Sequence, residues 1–244
     1  MRVSVIIPAA GLGTRMGQAT ASAGANRKQL MLLGETPVLI YTIRKFTANA
    51  SVAEVLVAVR PDDRPVVDEQ IRRAGFDKPV LVVEGGDSRQ ESVQHALAEV
   101  SSDIDLVAVH DAVRPFIDGE TIERVFREAD ETGAAIVGIV PVDTVKQVKG
   151  HKVRQTLIRD HLVLAQTPQV FRTDLLKEAF ARAEAENFTG TDEASLVERL
   201  EKVEVSVVAG TDRNIKITKP GDMELARLYY SLESEGQATT GAVR

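Results

Sequence analysis

The residues best suited to chemistry lie near the start of the chain. The apolar run VSVII (3–7) leads into PAAGLGTRMG, from Pro8 to Gly17, and a stretch of small residues then ends at Lys28. A glycine-rich turn behind a buried strand presents backbone N–H groups that can cradle phosphate. Arg15 sits inside this turn and Lys28 follows it, so two cations flank one nest. That pattern suits a polyphosphate on which negative charge grows during reaction, as in phosphoryl or nucleotidyl transfer. Other loops compete for the glycines. A Walker-type loop needs Lys and then Ser or Thr directly after its last glycine, but Gly17 is followed by Gln18. A dinucleotide fingerprint needs G-x-G-x-x-G and an acid about 20 residues on. Here the spacing is G-x-G-x-x-x-G, and the second strand ends too late, in AVRPDD. A plain strand-to-helix turn accounts for the glycines but needs no arginine within it.

The elements around the loop read as an α/β domain. Apolar runs rich in β-branched residues recur at 3–7, 54–59, 79–83, 105–110, 134–140 and 203–208. They are continuous rather than alternating, as expected for strands covered on both faces. Helical patterns lie between them at 37–49, 62–74, 88–100 and 121–131, with Ser88 and Asp118 as N-caps and Glu91 at the capping-box spacing. The alternation predicts a three-layer, doubly wound, mostly parallel sheet with right-handed crossovers and ligands at the carboxyl ends of its strands. The segment 140–162 breaks the rhythm. It alternates apolar and polar residues around KGHK, where Gly150 suits a turn, and predicts a β-hairpin arm at about 141–160. Such an arm is marginal alone and calls for packing, for instance on a second subunit. Further helices are expected at 173–186 and 192–201, and a last one from Pro220 to about Leu232. Residues 1–232 read as a single domain, and 233–244 as a disordered tail.

Composition limits the function. The chain of 244 residues carries 30 basic and 36 acidic side chains, a formal charge of −6, which argues against a nucleic-acid-binding surface. With no cysteine, thiolate nucleophiles, disulfides and cysteine zinc sites are excluded. The four histidines, His95, His110, His151 and His161, lack metal-ligand spacing. No signal peptide and no bilayer-length apolar run is evident, so the expected location is the cytoplasm, without membrane association.

The loop with its lysine resembles the signature of the nucleoside-triphosphate transferases. Later motifs narrow the resemblance: GGDSRQESV (85–93), VHDAVRPF (109–116), DTVK (143–146), AQTPQVF (165–171), TDEASLVE (191–198) and NIKIT (214–218). Together, over residues 3 to about 230, they are similar to the 2-C-methyl-D-erythritol 4-phosphate cytidylyltransferase family of the non-mevalonate isoprenoid pathway. The resemblance implies a Rossmann-like nucleotidyltransferase fold. It also implies that a phosphate oxygen of the acceptor, a polyol phosphate, attacks the α-phosphorus of CTP and expels pyrophosphate. An anionic nucleophile needs no general base, and none is expected.

The family pattern carries over residue by residue. Arg15 and Lys28 are implied as stabilisers of the transition-state charge. Ala9, Ala10, Gly11 and Gly13 are implied to hold the triphosphate, and Gly86, Asp87 and Ser92 to line a slot for the base. Asp111 and Ala112 complete the nucleotide site, with Asp111 able to offer a carboxylate oxygen to Mg²⁺. His110 reads as a packed neighbour and Arg114 as an anion ligand. Arg159 and Lys216 match the residues that position the acceptor phosphate, and Thr144, Thr167 and Thr191 could donate hydroxyl hydrogen bonds to it. The family is also implied to be a homodimer that interlocks through the arm and shares its active site. Two departures stand out: the stretch from Arg15 to Lys28 is longer than the family pattern, and Arg27 stands where the family usually has proline. Residue chemistry leaves ribitol 5-phosphate open as the acceptor. It also leaves open an inert nucleotide-binding protein on the same fold, although a mere binder has no need of Arg15, Lys28, Asp111 and Lys216 together.

Overall fold

The structure, a computed structural model, describes residues 1–11 and 27–241. In chain order its elements are β1 (Val3–Pro8), β2 (Leu32–Leu33), β3 (Thr36–Pro37), α1 (Val38–Thr47), β4 (Val52–Val59), α2 (Arg64–Ala74), β5 (Val80–Glu84), α3 (Arg89–Ala98) and β6 (Leu106–Val109). There follow α4 (Gly119–Thr132), β7 (Ala134–Ile139), β8 (Lys146–Lys149), β9 (Lys152–Thr156), β10 (Leu164–Arg172), α5 (Thr173–Ala185), α6 (Glu193–Glu198), β11 (Ser206–Ala209) and α7 (Pro220–Gly241). Seven strands form one sheet in the order β11-β7-β10-β6-β1-β4-β5. All neighbours in it run parallel except β10, which is antiparallel to both β6 and β7.

The continuous apolar runs have the expected consequence. Along β1, Val5 and Ile7 face one core with α1, α2 and α4, while Ile6 faces a second core with α3, α5 and α6. Both faces are therefore buried, and the protein is a three-layer, mostly parallel α/β fold as the sequence predicts. A third apolar cluster, which includes Leu33, Phe116, Ile217 and Met223, seats α7 beside the β2–β3 turn. Ser88 and Asp118 both cap their helices, accepting from the N–H groups of Glu91 at 3.0 Å and Thr121 at 2.7 Å.

The structure departs from the sequence reading in three places. The strand β10 has no counterpart among the predicted strands, because Gln166, Thr167 and Gln169 interrupt its apolar pattern although all three are buried. Helix α6 stops at Glu198, short of the expected 201. Helix α7 continues to Gly241, so the tail expected to be disordered from 233 is helical through that residue. Its turn beyond Leu232 is anchored because Glu233 accepts from the Lys45 ammonium at 2.7 Å and from the Tyr41 hydroxyl. The hairpin β8–β9 forms where it is predicted, with Gly150 and His151 at φ 54° and 62° in its turn. Two successive left-handed residues are what a tight two-residue hairpin turn requires.

Candidate active site

The carboxyl ends of β1, β4, β5 and β6 open onto one cleft of about 510 Å³. Short backbone bonds tie its rim together: the Ala9 N–H donates to Ala58 O and the Gly85 N–H to Val59 O, both at 2.7 Å. The loop after β5 leaves no room for side chains. A Cβ at Gly85 would come within 2.7 Å of the Ala10 methyl, and one at Gly86 would collide with Glu91. Ser92 braces the same loop from α3; its hydroxyl donates to Ser88 O at 2.8 Å and accepts from the Gly86 N–H at 3.1 Å. Glu91 reaches back to accept from the Asp87 N–H at 2.8 Å. The result is a slot walled by backbone and braced by these hydrogen bonds.

A charged centre lies across the cleft. Asp111 follows β6 and is buried, yet three cations surround it. Arg89 Nε approaches Oδ1 at 3.4 Å, while Arg114 Nε and Lys216 Nζ approach Oδ2 at 3.3 and 2.9 Å. Burial pushes the Asp111 carboxyl upward in pKa, but Arg89, Lys216 and Arg114 outweigh it and hold the group well below the usual carboxylate range. Arg89 is itself bridged to the buried Glu193, at 2.7 Å from Oε1. Arg114 donates to Asn214 O at 2.7 Å, and burial lowers its pKa. Behind Asp111, Thr167 accepts from its N–H at 3.0 Å and lies 3.2 Å from His110 Nδ1. His110 is fully buried beside Phe46, with Nε2 at 3.0 Å from Arg114 O. Burial pushes its pKa down to about 4, so it is neutral at pH 7 and supports the wall.

Lys28 enters the cleft on a short 3-10 turn. Its ammonium donates to Thr218 O at 2.6 Å, and the neighbouring Gln29 amide donates to Ala9 O at 2.7 Å. Arg27 turns away to pair with the buried Asp63, leaving Lys28 as the cleft-lining member of the two.

Of the residues singled out in the sequence, Ala9, Ala10, Gly11, Lys28, Gly86, Asp87, Ser92, Asp111, Ala112 and Lys216 line this cleft. Thr167 and Arg114 sit behind it, against Asp111. Thr144, Arg159 and Thr191 are exposed and do not line it. Gly13, Arg15 and the small-residue stretch 18–25 lie outside the described residues. Sequence reasoning missed Arg89, Glu193, Asn214 and Gln29. Arg89 reads as an ordinary polar residue of a helix, and nothing in local spacing ties it to Glu193, 104 positions away. Among the described residues no cluster of three or more His, Asp or Glu side chains is placed to hold a metal. No helix among them is long and apolar enough to cross a membrane.

The chain is similar throughout to proteins of one activity. The family model described as 2-C-methyl-D-erythritol 4-phosphate cytidylyltransferase matches residues 3–231. A protein of that name from Solibacter usitatus is 59% identical over 239 residues, covering 96% of this chain and 98% of the relative. One from Acidobacterium capsulatum is 52% identical, covering 96% and 99%. Among solved structures, the Thermus thermophilus protein of the same name superposes with a TM-score of 0.77 at 33% identity, covering 95% of this chain and 100% of its own. A 4-diphosphocytidyl-2C-methyl-D-erythritol synthase from Anaerococcus prevotii reaches a TM-score of 0.82 at 28% identity, covering 94% and 98%.

Proposed function

The chain belongs to the 2-C-methyl-D-erythritol 4-phosphate cytidylyltransferase family, and from that premise we propose how its cleft carries out the reaction. The protein joins CTP to 2-C-methyl-D-erythritol 4-phosphate, giving 4-diphosphocytidyl-2-C-methyl-D-erythritol and pyrophosphate, in isoprenoid biosynthesis. The acceptor phosphate oxygen forms the new bond to the α-phosphorus of CTP as the bond to the pyrophosphate oxygen breaks. The nucleophile arrives as an anion, so no proton has to be removed. A neutral, buried His110 with both ring nitrogens engaged agrees with that economy.

Each wall of the cleft takes a part. The Gly85–Asp87 slot receives the cytosine ring, and the loop from Ala9, with Gly13 and Arg15, receives the triphosphate. Arg15 and Lys28 offset the charge that grows on the α-phosphate and the leaving group, the kind of contact worth most in the transition state. Lys216 positions the acceptor phosphate. Asp111, held ionised by its three cations, would offer one carboxylate oxygen to Mg²⁺. A single carboxylate fits a metal held mainly by substrate phosphates and water rather than by a protein cage. When bound, Mg²⁺ would neutralise phosphate charge. The exposed arm, carrying Thr144 and Arg159, packs on a second copy of the chain and brings Arg159 to that copy's cleft. The enzyme so assembled is a cytoplasmic homodimer.

The observation that carries this reading is the convergence of Lys28, Asp111 and Lys216 on one cleft at the carboxyl edge of the sheet. The test is pyrophosphate release from CTP and Mg²⁺ with 2-C-methyl-D-erythritol 4-phosphate or ribitol 5-phosphate as acceptor. Release with the first and not the second is expected. Equal release with both would overturn the acceptor assignment, and release with neither would overturn the catalytic one.

A further inference from the structure

The three cations around Asp111 are not equivalent. Arg114 is tethered from behind by Asn214 O at 2.7 Å, and Arg89 by Glu193 Oε1 at 2.7 Å. Lys216, 37% exposed in its side chain against 32% for Arg89 and 11% for Arg114, differs chiefly in lacking such a tether, making no second ion pair among the described residues. Two of the contacts are thus clamps from fixed points, one on each carboxylate oxygen, and the third is free to move to a phosphate. We propose that Glu193, acting through Arg89, is a positioning residue that fixes the Asp111 carboxylate for nucleotide binding. The inference rests on the reading of Asp111 as a nucleotide contact.

The chemistry of Glu193 points the same way. It is 1% exposed, and its second oxygen, Oε2, has no hydrogen-bond partner, a costly state for a carboxylate. Stability alone is served as well or better by an apolar pair at such a place. What the pair supplies instead is direction. A guanidinium has a planar fork, and here one prong, Nε, faces Asp111 while another, NH1, faces Glu193. Holding the far prong fixes the near one, and with it Oδ1 of Asp111. Once Lys216 leaves for a phosphate, Arg89 and Arg114 are the contacts that keep the carboxylate from rotating. Outer partners of this kind affect affinity without touching the ligand.

The test is calorimetric CTP binding to the full-length enzyme with Mg²⁺ and no acceptor, beside steady-state kinetics and thermal melting. Burial raises the pKa of the Glu193 carboxyl, and the Arg89 guanidinium at 2.7 Å opposes that rise. Glu193→Gln keeps the shape but removes the carboxyl that pairs with Arg89, and it should raise the Kd for CTP by about tenfold. The KM for the acceptor should stay unchanged. Arg89→Met should weaken CTP binding at least as much, and the double variant should be no worse than Arg89→Met alone, because Glu193 acts only through Arg89. If Glu193→Gln does not fold, Glu193→Asp should fold and bind CTP with intermediate affinity. An unchanged Kd with a lowered melting temperature would overturn the proposal in favour of a purely structural pair, and so would additive losses in the double variant. Asp111→Asn separates the layers. If it leaves CTP binding intact, the reading of the site fails; if it weakens binding while Glu193→Gln does not, only the positioning role fails.

Discussion

The cleft and the arm obey opposite rules. Around the cleft the charges are largely paired within the chain: Asp111 has three cations, the Thr167 hydroxyl meets His110, and the Asn214 amide donates to Thr167 O. On the arm every residue of β8 and β9 is exposed. Val142, Val148, Val153 and Ile158 leave 79%, 61%, 62% and 65% of their surface in water, close together in sequence. A paired hairpin with an unburied apolar face lacks the cover such a face normally has, whereas the described walls of the cleft pair most of their charges within the chain. The difference teaches that the described part of the cleft is preorganised within one chain, while the arm presents apolar surface that the described residues leave uncovered.

The largest expected effect falls on the cleft. Lys28→Ala should lower kcat by about 10²–10³, roughly 3–4 kcal/mol in the barrier, with a much smaller change in the KM for CTP. In the proposed mechanism its ammonium serves the developing charge rather than the base slot. Steady-state kinetics decide the matter: a raised KM at unchanged kcat would reassign Lys28 to ground-state binding. The same measurement on Arg15→Ala should give the same pattern.

The second prediction tests whether the arm completes a neighbour's cleft. Lys28→Ala and Arg159→Ala chains, each nearly inactive alone, are refolded together in equal amounts. In a mixed dimer with a shared site, one cleft carries both lesions and the other neither. Random pairing then recovers up to about a quarter of wild-type activity per site. If Arg159 serves its own chain, every cleft keeps one lesion and no activity returns, even with heterodimers confirmed by mass.

Legibility follows the same division. The cleft's covalent outline was readable because chain-local physics produces it. Apolar runs gave the parallel strands, Ser88 and Asp118 gave the helix starts, and the glycines near Gly86 marked a loop with no space for side chains. The arm was readable from its alternation and its turn at Gly150. What stayed hidden depends on partners far apart in sequence. Strand β10 is carried by polar residues whose partners, such as Asp192 for Gln169 and Asn214 for Gln166, lie elsewhere in the chain. Arg89 and Glu193 are a helix-start arginine and an ordinary glutamate until the fold brings them to 2.7 Å. Single-chain pattern reading registers burial of apolar faces, but not which buried charge meets which.

A third, smaller effect is expected on the arm's apolar face. Val148 and Val153 are register partners across the hairpin, so Ser at both removes one paired apolar patch without touching the core. If that patch is buried on a second copy, each valine contributes on the order of 1.5 kcal/mol, and the dimer should dissociate at a concentration at least tenfold higher. Sedimentation across a dilution series measures this. An unchanged dimer would place the interface elsewhere on the chain.

The smallest effect sharpens the comparison on the side of the cleft. Ser88 and Asp118 perform the same task, each accepting a backbone N–H in the first turn of its helix. Replacing either with Ala should lower stability by about 1 kcal/mol, since one donor is left without its cap. Only Ser88 borders the cleft, and its carbonyl oxygen also receives the Ser92 hydroxyl that braces Gly86. Ser88→Ala keeps that carbonyl but uncaps the first turn that holds it in place, and should loosen the base slot as well as the helix, raising the KM for CTP by a few-fold while kcat holds. Asp118→Ala, with a matched loss in melting temperature, should leave the KM for CTP unchanged. Equal stability losses with unequal CTP affinity would locate base recognition in the loop after β5. Equal changes in both would mean that the slot responds to global stability alone.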